Sequence, residues 1–88
     1  MIASLDLEDV RLEWMVLEVL RGERGGLSIP ELVARLLDRG IDPGDVFYVN
    51  GRPTSPSVCA ALLRLGEACQ VVFLPQTGKW YATGGGRR

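Results

Sequence analysis

Histidine is absent from the chain, so there is no imidazole to act as a base near neutral pH or to bind a metal. Cysteine is scarce. Cys59 and Cys69 stand ten positions apart with no partner ligands, too few for a tetrahedral zinc site from one chain, and both read as small core residues. No uninterrupted apolar run approaches the roughly 18 to 20 residues that span a bilayer. The first residues, Met1-Ile2-Ala3 followed by Asp6, Glu8 and Asp9, carry acid where a secretory leader carries base. A soluble cytoplasmic protein is therefore expected, with no membrane partner. Gly84-Gly85-Gly86 lacks the strand-to-helix setting of a phosphate loop. Taken together, these absences predict neither an enzyme nor a cofactor-, metal- or small-molecule-binding protein.

The 88 residues leave room for one domain with a thin stability margin. A 47% apolar content is enough to build a core. Net charge is only −1, which gives no general attraction to nucleic acid, but the charge is unevenly spread. Residues 1–45 carry ten acids against five bases, and residues 46–88 carry one acid against five bases. A field so polarised can orient the domain on a polyanion or on an acidic protein surface.

The chain is organised around residues 54–83. Thr54-Ser55-Pro56 starts a helix, with Ser55 as cap and Pro56 in the first helical position. Val58, Ala61, Leu62, Leu65 and Cys69 form its inward stripe, and Ser57, Ala60, Arg64 and Glu67 the opposite one. Gly66 weakens its last turn. Residues 71–74 and 79–82 then read as a hairpin around a three-residue turn, Gln76-Thr77-Gly78.

Upstream, residues 5–21 predict a first helix, capped by Ser4 or Asp6 and ended by Gly22, Gly25 and Gly26. Its apolar residues, Val10, Trp14 and Leu17 beside Val16 and Leu20, wrap more than one face. That suits a helix covered on two sides or one that meets a partner. The second helix opens with a capping box, Ser28 with Glu31, and a staple between Leu27 and Leu32. Leu32, Val33, Leu36 and Leu37 face inward, and Gly40 closes it.

In the connector, Asp42-Pro43-Gly44-Asp45 is a turn by composition, and Val46-Phe47-Tyr48-Val49 is a short strand. The reading adopted pairs that strand with the edge of the C-terminal hairpin. A separate hairpin turning at Asn50-Gly51 ranks lower, because Arg52-Pro53-Thr54 makes a poor strand. The expected fold is α+β, a winged helix-turn-helix with three helices, a short strand and a C-terminal β-hairpin wing. The domain spans residues 1–83, and residues 84–88 form a Gly/Arg tail.

Residues 12–20, 27–40 and 50–62, followed by a hairpin, resemble the HARE-type winged helix. That group is similar to a domain of the bacterial RNA polymerase delta subunit and to modules in chromatin and restriction proteins. The resemblance implies a role in transcription or in DNA transactions. The chain departs from the pattern in its connector and in a third helix short of basic residues, which weighs against direct base reading.

Two functions follow as expectations. The first is DNA binding in transcription regulation or a DNA transaction, weak or dimer-dependent. Ser57, Ala60 and Arg64 would lie at base edges, Arg52, Thr54 and Ser55 at phosphate, and Lys79 at the flanking backbone or minor groove. A homodimer through the first helix would double these contacts. The alternative is a winged-helix module that binds a protein of the transcription or chromosome machinery, through Ala60, Tyr48, Trp80 and Tyr81. Leu63, Phe47 and Phe73 add apolar surface beyond the needs of one small core.

Overall fold

The structure is a computed structural model and describes residues 7–83. The Ser4 and Asp6 caps and residues 84–88 lie outside the described residues. Three helices, α1 (Leu7–Arg21), α2 (Ile29–Asp38) and α3 (Pro56–Glu67), combine with two antiparallel hairpins. The first pairs β1 (Phe47–Val49) with β2 (Arg52–Thr54), and the second pairs β3 (Val71–Leu74) with β4 (Lys79–Ala82).

α2 starts where local chemistry dictates. Ser28 N–H donates to Glu31 Oε1 at 2.9 Å, and Glu31 N–H returns to Ser28 Oγ at 3.4 Å, which completes the capping box. Leu27 and Leu32, the two halves of the staple, are both buried. The core forms where the apolar stripes of the three helices meet. Leu12, Val16, Val19 and Leu20 come from α1, and Leu32, Val33 and Leu36 from α2. Val58, Ala61, Leu62 and Leu65 come from α3, with Leu27 and Val71 closing the cluster. Val10 and Trp14 point out of it.

The strand at residues 46–49 does not reach the C-terminal hairpin. It folds back on Arg52–Thr54 instead, so the hairpin ranked lower in the sequence is the one that forms. Asn50 (φ 54°) and Gly51 (φ 78°) both take left-handed values, as a two-residue loop with right-handed strand twist demands. Pro53 is no obstacle because it stands opposite Tyr48. In a two-residue-loop hairpin this is the pair that makes no backbone hydrogen bonds, so the N–H that proline lacks would point away from β1. By the same geometry Tyr48 turns its backbone N–H and C=O to the open side of β1.

The place beside β4 is taken by Leu27. Its N–H donates to Trp80 O at 3.0 Å, and Trp80 N–H donates back to Leu27 O at 2.8 Å. The link between α1 and α2 thus supplies a one-residue third strand to the C-terminal hairpin. That hairpin's loop is four residues long, 75–78, one longer than expected. Thr77 and Gly78 N–H groups both return to Leu74 O, and Gly78 takes the positive φ read for it.

Cys69 is exposed, not part of the inward stripe. α3 stops at Glu67, and Cys69 adopts φ 60° in the turn that lets Gln70 N–H close on Leu65 O at 2.9 Å. The reversal swings the Cys69 side chain off the helical stripe.

Replacing Gly51 with alanine is expected to destabilise the domain by about 1 kcal/mol, because the left-handed backbone is costly for a residue with a Cβ. An added Cβ meets nothing within 4 Å, so no steric clash adds to this. Thermal unfolding should shift down by about 4 to 8 °C for a domain of this size. An unchanged midpoint would mean that the turn relaxes freely.

Candidate interaction surface

The start of α3 is held from a distance. Ser55 is fully buried and is the helix cap, its Oγ accepting from Val58 N–H at 3.2 Å. Asp45, from the turn before β1, reaches over the same end. One carboxylate oxygen accepts from Ser55 Oγ, and the other accepts from Ser57 N–H at 2.9 Å and Ser57 Oγ at 2.7 Å. Burial pushes the Asp45 carboxyl up, but the hydrogen bonds from Ser55 and Ser57 outweigh it and hold the pKa below the ordinary value. The positive end of α3 therefore already carries a bound carboxylate.

The other residues assigned to DNA belong to three different elements, β2, α3 and β4. Arg64 donates from Nε to Glu13 Oε2 and ties the outer side of α3 to α1. Lys79 is half-buried and sits close enough to Glu31 to help hold that carboxyl below its usual value, behind the larger effect of the Ser28 N–H. Arg52 is exposed on the first hairpin, and Thr54 is half-buried at its base. Among the described residues, Ser55 and Ser57 share one hydrogen-bond network, and its centre is an acid.

The residues assigned to a protein partner divide differently. Trp80 packs against the core and stacks at a tilt on Phe73, with ring centroids 5.1 Å apart. Tyr81 lies across Gly26, and its hydroxyl donates to Thr77 Oγ1 at 3.1 Å. Ala60 is half-buried on α3, while Leu63 beside it is 63% exposed. Tyr48 is equally open at 63%, between Phe47 at 50% and Val49 at 51%. Three consecutive large apolar residues thus stand on both faces of one short ribbon, with Arg52 paired to Val49 at its tip.

Asp45 and Val49 were not singled out in the sequence. Asp45 lies ten and twelve positions from its partners, beyond any local motif. Val49 had a signal: four apolar residues in a row cannot alternate, so in a lone hairpin some must face solvent. Among the described residues no group of three or more acids or cysteines could hold a metal ion, and no helix is long and apolar enough to cross a membrane. An open groove of about 450 Å³ borders Ser57, but Arg11 and Asp42 give its rim mixed charge. No protein-family model, curated protein or solved structure matches the chain.

Proposed function

We propose that this chain is a winged-helix module that binds another protein, of the transcription or chromosome machinery, through its first hairpin. Support for the winged-helix part comes from the element order: helix, one-residue bridge, helix, hairpin, helix, hairpin, with the bridge beside β4. The partner-binding part rests on one observation. Phe47, Tyr48 and Val49 are each at least half exposed in succession, on a ribbon that adds none of them to the core. Anchors of this type fill pockets on a partner, and the open side of β1 offers backbone groups to a guest strand.

The DNA-binding reading, weak or dimer-dependent through α3 and the second hairpin, draws support from the excess of base in residues 46–88. Against it weigh the Asp45 carboxylate on the end of α3 and the Glu13 partner of Arg64. Phosphate approaching α3 would have to displace one acid and compete with another.

Two measurements separate these readings. A photo-crosslinking residue at position 48, in the cells that make the protein, is expected to capture a discrete partner. The same group at Glu67 should not, and Phe47→Ser with Val49→Ser should abolish capture. Fluorescence anisotropy of a labelled duplex is expected to show binding no tighter than about 100 µM at physiological salt, the weak end of non-specific association. Micromolar binding, with a salt slope that falls by about two when Arg52 and Lys79 become alanine, would replace this reading with the DNA one.

A further inference from the structure

Among the described residues, the outer face of α1 carries a second apolar seam that no other element covers fully. Val10 and Trp14 are 55% and 60% exposed, on the side opposite Leu12, Val16 and Val19. Half-buried Leu17 continues the line, and exposed Arg21 ends it. The spacing of residues 10, 14, 17 and 21 is four, three, four, the a/d repeat of a helix that pairs with another helix. One flank of the seam carries Arg11 and Glu18, seven residues apart. The other carries Glu13, already bound to Arg64 within the chain.

We infer that the seam pairs with α1 of a second copy of this chain, antiparallel, about a two-fold axis passing between Trp14 and Leu17. In that register Trp14 of each copy meets Leu17 of the other, and Val10 lies over the aliphatic stem of Arg21. Matching flanks face each other in an antiparallel pair, so Arg11 of each copy falls opposite Glu18 of the other. Two symmetric ion pairs result. The parallel arrangement sets Glu13 of one copy against Glu18 of the other, like charge against like. The charges on the flanks therefore choose both the occupant and its direction. Glu18 also contacts Arg21 in its own helix at 3.6 Å, a loose surface pair that leaves the carboxylate able to turn outward.

The pairing is weak by construction. A helix of 15 residues is about 22 Å long, and one helix against its copy buries less than the roughly 1,200 Å² of a stable standard interface. Association at the weak, transient end is expected. This inference is independent of the hairpin reading, and Phe47→Ser with Val49→Ser should leave the dimer unchanged.

Sedimentation equilibrium from about 10 µM to 1 mM tests it, with circular dichroism to verify that each variant is folded. Wild type should pass from monomer to dimer across the range, and Trp14→Ala should weaken association at least tenfold. Arg11→Glu alone and Glu18→Arg alone should each weaken it by roughly tenfold, since both pairs become repulsive. An equimolar mixture of these two folded variants should dimerise again, because every facing pair is then of opposite sign. A wild type that stays monomeric at 1 mM, or a dimer indifferent to Trp14→Ala, overturns the seam. A mixture no tighter than its components overturns the antiparallel register.

Discussion

Replacing Asp45 with alanine is expected to lower stability by about 2 to 3 kcal/mol, which in a domain of this size moves the unfolding midpoint down by about 10 to 20 °C. The change removes the acceptor for Ser57 N–H, Ser57 Oγ and Ser55 Oγ together. Ser55 keeps Val58 N–H as a donor to its oxygen, but its own hydroxyl proton is left in a fully buried site without its acceptor. Asp45→Asn retains an acceptor but not the charge, and should fall about midway. The effect depends on acidity in a defined direction. The folded carboxyl has a pKa below its ordinary value of about 4, so its contribution is complete above that value. It fades as pH drops through the folded value. Wild type should therefore lose its advantage over Asp45→Ala progressively as pH falls below about 4, and chemical denaturation along a pH series checks this. An advantage that does not shrink as pH falls below the ordinary carboxylate range would mean that Asp45 acts by shape alone.

Gly26→Ala is expected to cost about 2 kcal/mol, from two separable sources. Gly26 holds φ 77°, which charges any residue with a Cβ about 1 kcal/mol. The new Cβ would also stand 2.5 Å from Tyr81 Cε2 and 2.7 Å from Cζ, inside the ring's van der Waals surface. Tyr81 would have to swing away, breaking its bond to Thr77 and pulling on the strand that receives Leu27. The double variant Gly26→Ala with Tyr81→Leu should be less destabilised than the sum of its parts, leaving about the conformational 1 kcal/mol attached to Gly26. Strict additivity in denaturant unfolding would show that the ring does not feel the added methyl.

Features set by neighbours in sequence are legible in the sequence itself. The Ser28–Glu31 box, the Leu27–Leu32 staple and the Ser55-Pro56 start all act within a few residues, and each forms as read. Strands 71–74 and 79–82 were legible from their apolar content and the glycine between them. The first hairpin has its signal in Asn50-Gly51, but whether Pro53 costs a hydrogen bond depends on which pair it occupies, and that is set by the register. Leu27 as a third strand could not be found, because one residue leaves no period. The hold of Asp45 on α3 was hidden by its distance along the chain. Of the candidate surface, Tyr48 was singled out from its chemistry. Val49 emerges only when the ribbon's pairing is known.

Pro53 has one more effect. A sheet with two receptive borders can grow without limit, each guest offering a fresh border to the next. Here the β2 side lies along α2 and lacks the donor that proline removes, so a visiting segment finds a foothold only along β1. A second copy of this chain docking there would pair through its own β1 and leave only a proline-bearing β2 at each outer border, so stacking of copies would end at two and the bare aromatics would not seed a fibre.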